Sequence, residues 1–311
     1  MARRSARRRR VEVTVRPQLA VTYSLADDNP SEWARRREDQ GWDCLAVTDH
    51  LVTDYRPPFP HLWVSAGAIA AVTSRVTVAT AFVNGVFRHP ADTAQAARQL
   101  QQVSNGRFEL GVGAGWYEAE MTAIGLPWPE PGARAGAFAE AVQVLRPLLA
   151  GEPCRFDGRY YSIDLPAVGP ADVAPPPLIA SVGGPRTTRE VTPYLDRVEV
   201  KPAAAATRGG MLDWDVYATV TDDDVDDLLA RVRRVRNDIP VDMFVICNAA
   251  EDRATKERAE QLGDGFAAQF FGSPSAVAES IMGLAERGVG RITLSALDPE
   301  SIDRLAPLLV G

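Results

Sequence analysis

The chain has 311 residues, enough for one large α/β domain or two small ones, and its 46% hydrophobic content supplies a full core. A net charge of −7 argues against a nucleic-acid binder, which needs a basic face. Cys44, Cys154 and Cys247 lie far apart with no C-x-x-C, which excludes a disulfide framework and suits a reducing compartment.

Residues 1–16 open with a run of Arg, Ala and Ser. A single run of like charges predicts a solvated, disordered tail. The segment Val11–Pro17 is too short and polar for the apolar part of an export signal. No stretch approaches the roughly 18 apolar residues of a membrane span. The expectation is a soluble cytoplasmic protein with neither a nucleic-acid nor a membrane partner.

Eight short apolar strands are predicted: Leu19–Ser24, Trp42–Thr48, Val76–Val83, Phe108–Val112, Leu178–Val182, Arg197–Val200, Val241–Cys247 and Arg291–Ser295. Helical patterns separate them, which predicts a parallel sheet covered on both faces. Asn29-Pro30 opens the first helix and Gly41 closes it. His89-Pro90 opens another, with Ala94, Ala97 and Gln101 along one face, and Ser104-Asn-Gly106 ends it. A helix over Arg134–Leu149 carries Phe138, Val142, Leu145 and Leu149 at helical spacing, and Gly151 stops it. Thr221 before Asp222, Asp223 and Asp224 predicts a capped helix start with acids in its first turn. A metal site is the functional alternative for that cluster.

Two stretches break the rhythm. Residues 117–131 and 152–177 are rich in Gly, Pro and aromatics, and are expected to be long loops inserted in a single domain over 17–311. Eight strands admit a closed (β/α)8 barrel or an open doubly wound sheet, and periodicity does not separate them.

Three motifs follow predicted strands. Gly111-Val-Gly113-Ala-Gly115 lacks the third dinucleotide-binding glycine, because that position is Trp116. Its glycines are expected to allow close backbone approach to a flat ligand, with a tight turn as the alternative. Ser181-Val-Gly183-Gly184-Pro185, followed by Arg186, Thr187 and Arg189, predicts an anion site at a strand-to-helix turn, with a plain loop as the alternative. Asp49-His50 ends the second strand. There His50 is placed to hydrogen-bond or protonate a bound ring, and a structural histidine is the alternative. His50, His61 and His89 have no zinc-ligand spacing, so no metal is expected. No G-x-S-x-G elbow and no P-loop occurs, which drops hydrolase and nucleotide triphosphatase readings. An aldolase or isomerase barrel needs a catalytic lysine or paired carboxylates at strand ends, and Lys201 is the only lysine near one.

Taken together, five segments in order resemble the luciferase-like monooxygenases. They are Gly41-Trp-Asp-Cys-Leu-Ala-Val-Thr-Asp49-His50, Thr73–Thr80, Arg88-His-Pro90, Ser104–Trp116 and Pro175–Gly184. After Val200 the match is weak. The resemblance implies a (β/α)8 TIM barrel, bacterial luciferase-like, with insertion loops and a flavin or deazaflavin at the carboxyl ends of the strands. The branch that these motifs most resemble uses coenzyme F420, with FMN as the alternative cofactor.

By position, Asp49, His50 and Asn84 are implied beside the cofactor ring, Ala114 and Gly115 against it, and Gly183, Gly184, Arg186 and Thr187 at its phosphate. A non-proline cis peptide is implied at Ala81-Phe82, with both residues among those that bind the cofactor. His50 is the implied catalytic residue. Phe82, Phe87, Trp116, Tyr117 and Trp128 are expected as apolar walls of a pocket for a small organic substrate. A homo-oligomer is implied by resemblance alone. The expected activity is hydride transfer between the deazaflavin and that substrate. The alternatives are an FMN-dependent monooxygenase and a cofactor-binding protein without turnover. Sugar-phosphate dehydrogenases of this group carry a glutamate where this chain has Trp116, which puts that activity in doubt.

Overall fold

Closure of the sheet is decided by one pairing: the first strand, Gln18–Tyr23, lies parallel to the last, Arg291–Ala296, with Gln18 opposite Arg291. The structure is a computed structural model and describes residues 16–23, 29–52 and 59–311. Residues 1–15 of the expected tail, and Ser24 at the end of the first predicted strand, lie outside the described residues. Arg16 is described, and it forms an ion pair with Asp43.

From the first strand the barrel runs through Cys44–Val47, Thr77–Thr80, Phe108–Gly113, Leu178–Val182, Arg197–Val200, Val241–Ala249 and back to Arg291–Ala296. Every neighbouring pair is parallel. The architecture is therefore the closed (β/α)8 barrel and not the open sheet. The strands read as continuous apolar runs because both faces are covered. Val78, Leu110, Ala180, Val198, Met243 and Leu294 face the surrounding helices, and each is 0% exposed.

The residues alternating with them fill the barrel. Ala20, Cys44, Ala46, Ala79 and Ala81 form a cluster of small side chains on one side. On the other side lies a buried ionic layer. Arg291 contacts Glu109 at 2.5 Å and Asp242 at 3.2 Å, and Arg197 grips Asp242 with two hydrogen bonds of 2.9 and 2.6 Å. Pairing is what makes charge tolerable in such an interior.

The helices follow their sequence signals. Asn29 caps Pro30–Gln40, and Gly41 ends it in the left-handed conformation at φ 96°. Thr221 and Asp224 cap Asp222–Val235 reciprocally, which accounts for the acidic run as helix capping. The two expected loops carry more structure than anticipated. Residues 117–131 include the helix Glu118–Ala123, and the next helix starts at Pro131 rather than Arg134. Residues 152–177 contain an antiparallel hairpin, Cys154–Asp157 with Ser162–Leu165. Its turn is held by Glu140 of the neighbouring helix, whose carboxylate accepts from the amides of Arg159, Tyr160 and Tyr161. That contact is long-range and leaves no local signature. Among the described residues, no helix is long and apolar enough to cross a membrane.

Candidate active site

The carboxyl ends of the strands open into a cleft of about 790 Å³, within the roughly 300–1,000 Å³ of small-molecule sites. Asp49, His50, Phe82, Asn84, Ala114, Gly115, Trp116, Gly183, Gly184, Arg186 and Thr187 all line it.

Asp49 is 4% exposed, and its carboxylate is committed to the protein itself. It accepts from the amide of Asn84 at 2.9 Å and from Arg88 Nε and Nη2 at 2.9 Å each. It thus ties the end of the second strand to the turn after the third. That turn contains a cis peptide at Ala81-Phe82, after which Val83–Asn84 resume pairing with Val112–Gly113.

His50 is oriented from a different element. Its Nδ1 lies 3.0 Å from Oε1 of Glu120, on the helix Glu118–Ala123, and Glu120 Oε2 accepts from the Leu51 amide at 2.9 Å. The Glu120 side chain is 0% exposed and that of His50 is 13% exposed. A carboxylate only accepts, so the pairing holds hydrogen on Nδ1 and leaves Nε2 to exchange a proton. Phe59 and Trp116 pack against the imidazole at ring-centre distances of 5.2 and 5.4 Å.

The glycines divide by role. A Cβ at Gly111 would lie 2.0 Å from the Thr80 carbonyl oxygen, so close packing against the third strand requires that glycine, not a ligand. Gly115 has φ +74°, and a Cβ there would strike Val86 at 2.5 Å and Asn84 Oδ1 at 2.6 Å. At Gly183 a Cβ would meet Ala204 at 2.1 Å. A Cβ at Gly184 would meet nothing nearer than Thr187 Oγ1 at 3.7 Å, so the turn leaves space beside that Cα. Arg186 points partly elsewhere, pairing with Glu190 at 2.9 Å and donating to the Gly132 carbonyl at 2.8 Å.

Four expected residues stand outside the lining. Ala81 belongs to the small-residue cluster inside the barrel. Phe87 lies under the guanidinium of Arg88, 5.0 Å away. Tyr117 is 1% exposed behind Trp116 and faces a second, smaller hollow with Glu118, Gly210 and Met211. Trp128 stacks beneath Arg134 at 4.0 Å, and it is Arg134 that lines the cleft.

The sequence reading missed Glu120 and Arg88, whose roles depend on contacts across 70 and 39 residues. It also missed Arg134 and Arg231 as cleft residues. Lys201 carried a signal, as the lone lysine at a strand end. It lines the cleft with Nζ 5.2 Å from the centre of the Trp116 ring. Among the described residues, no group of three or more His, Cys, Asp or Glu is placed to hold a metal.

The chain is 37% identical over 157 residues to an F420-dependent glucose-6-phosphate dehydrogenase of Beutenbergia cavernae, covering 49% of this chain and 46% of that protein. It is 34% identical over 182 residues to a protein of the same name from Nakamurella multipartita, covering 56% and 53%. The chain thus spans about half the length of these curated relatives. Among solved structures, an F420-dependent secondary alcohol dehydrogenase superposes with a TM-score of 0.71 at 21% identity, covering 94% of this chain and 98% of that one. The coenzyme F420-dependent tetrahydromethanopterin reductase of Methanopyrus kandleri gives 0.64 at 20%, covering 95% and 100%. At such identities these two establish the fold. A family model described as luciferase-like monooxygenase matches residues 15–213. The chain belongs to the luciferase-like monooxygenase family.

Proposed function

We propose that this protein is an F420-dependent oxidoreductase that moves hydride between the deazaflavin and a small organic substrate. The observation that carries the reading is the His50–Glu120 pair. It is a proton-exchange group with a fixed tautomer, set in a cleft whose other lining is mostly apolar or cationic. The names of the relatives in sequence support the choice of cofactor.

The residues present fit such a group. Phe82, Asn84, Ala114 and Gly115 would face the ring, and the uncrowded turn at Gly184, with Gly183 and Thr187, would take the phosphate. Arg208 and Arg231 offer cationic charge in the same cleft for an acidic tail, and Arg186 retains part of its charge for it. When bound, the deazaflavin supplies hydride chemistry without ready oxygen activation. The chain supplies orientation, a largely dry surface and proton exchange at His50 Nε2. Trp116 packs edge-on against that imidazole, at the position where the resemblance places a glutamate in the sugar-phosphate enzymes, so the reading does not extend to glucose 6-phosphate.

Fluorescence titration of the purified protein with F420 and with FMN tests the proposal. Tighter binding of F420 is expected. Micromolar FMN binding with no F420 binding would overturn it in favour of an FMN-dependent monooxygenase.

A further inference from the structure

Of the 34 basic side chains in this protein, only Lys201 and Lys256 are lysines. Lys256 is exposed on the helix Arg253–Leu262. Lys201 directly follows the sixth barrel strand, Arg197–Val200. Arg197 and Glu199 point into the barrel, so the alternation of a strand sends Lys201 to the same side one level higher, into the cleft. Its backbone is held at both ends. The Lys201 amide donates to the Val182 carbonyl at 3.0 Å, and its carbonyl accepts from the Ala204 amide at 3.0 Å.

The ammonium is not consumed by the fold. Among the described residues, Lys201 Nζ has no hydrogen-bond or ion-pair partner, and its neighbour is the face of Trp116. Below it, Glu199 is 3% exposed, with Oε2 accepting from Thr293 Oγ1 at 2.8 Å and Oε1 unpaired. The other ionisable groups lining the cleft are Asp49, His50, with Glu120 behind it, Arg134, Arg186, Arg208, Asp224 and Arg231.

We propose that Lys201 is a second proton-exchange group of the cleft, acting at the substrate oxygen, and that the substrate is accordingly a ketone or the matching secondary alcohol. This rests on the oxidoreductase reading above. With hydride from a deazaflavin arriving at the carbonyl carbon, the C=O π pair moves to oxygen. It takes a proton from the Lys201 ammonium, leaving an alcohol and a neutral amine. In the reverse direction the amine removes the hydroxyl proton as hydride leaves carbon.

Two arguments favour this role over a fixed cationic anchor. First, an anchor needs permanent charge, which arginine supplies with better geometry and which this chain uses almost everywhere else. Lysine has a property that arginine lacks: it can release its proton. Second, burial pushes the Lys201 ammonium down to about 8, opposed by the Glu199 carboxylate below it. That value matches the working range of a proton-transfer group.

Competitive acylation with acetic anhydride from pH 6 to 11, read by mass spectrometry, tests the amine directly, with Lys256 as internal reference. Half-reaction of Lys201 near pH 8, well below that of Lys256, is the expected result. Parallel titration of the two lysines overturns the proposal. Reduction of pentan-2-one and cyclohexanone by reduced F420 then tests the role. K201M and K201R are each expected to lose about 100-fold or more in kcat, K201R with KM within threefold, and the limb near pH 8 should vanish. Wild-type kcat in K201R, or a borohydride-trapped ketone adduct on Lys201, overturns proton exchange. If F420 binds but neither ketone is reduced, the substrate class is wrong. If F420 does not bind, the cofactor reading fails, whatever the acylation shows.

Discussion

His50 Nδ1 and Glu120 Oε1 lie 3.0 Å apart, and the glutamate side chain is wholly buried. The imidazole is thereby fixed in one tautomer with Nε2 as its working nitrogen. His50→Ala should lower kcat by about 100-fold or more while shifting the melting temperature by only a few degrees. Glu120→Gln, which keeps the shape and loses the charge, should give a smaller fall in kcat. An unchanged kcat in His50→Ala, with a large loss of stability, would assign the histidine to structure.

Asp49 is expected to act mainly through Arg88 and the Asn84 amide. Asp49→Asn leaves the Arg88 guanidinium, whose side chain is 14% exposed, without its carboxylate partner. Losing one partner of a buried pair costs about 3 kcal/mol or more. Urea unfolding should show that loss, with F420 affinity falling as the Asn84 turn loosens. A stability change within 0.5 kcal/mol, the usual scatter of surface substitutions, would contradict it.

Gly115 combines a left-handed backbone with two close neighbours, Val86 and Asn84. Gly115→Ala should therefore destabilise the fold by about 1–3 kcal/mol, whereas Gly184→Ala, with nothing nearer than 3.7 Å, should leave stability within about 0.5 kcal/mol. Thermal unfolding of both variants, with and without F420, makes the comparison.

Glu199 predicts a pH dependence. Burial, helped by the Asp242 carboxylate, pushes its carboxyl up to about 7 against the opposing effects of Arg291, Thr293 and Arg197. Between its ordinary value of 4.5 and about 7, the folded state binds a proton that the unfolded state has released. Stability should then fall as pH rises through that window. Denaturant midpoints at pH 5 and pH 7.5 should show this decline in the wild type and a flatter response in Glu199→Gln. Equal slopes would remove Glu199 as the cause.

Glucose 6-phosphate should give no measurable reduction of F420 at millimolar concentration, because Trp116 stands where the resemblance places the glutamate of the sugar-phosphate enzymes. Sustained turnover with ordinary saturation would refute this expectation despite the substitution.

Much of the architecture was legible in the sequence because it rests on local patterning. Apolar β-branched runs give strands buried on both faces, and Asn29-Pro30, Gly41 and Thr221 mark helix ends through backbone geometry that each residue favours by itself. Motif order also pointed to Asp49, His50, Asn84, Gly115 and Gly184, all of which line one cleft. Closure of the barrel was not legible, since the pairing of Gln18 with Arg291 joins opposite ends of the chain. Nor was the commitment of Asp49 to Arg88, the exclusion of Tyr117 and Trp128 from the cleft, or the carboxylate behind His50. Each depends on which side chain packing brings within about 3–5 Å, and residue type and spacing do not encode that distance. Lys201 shows both halves. Its chemistry and its place at a strand end are properties of the sequence, whereas its partial burial above Glu199 and against Trp116, which draws an ordinary amine down to about 8, exists only in the folded barrel.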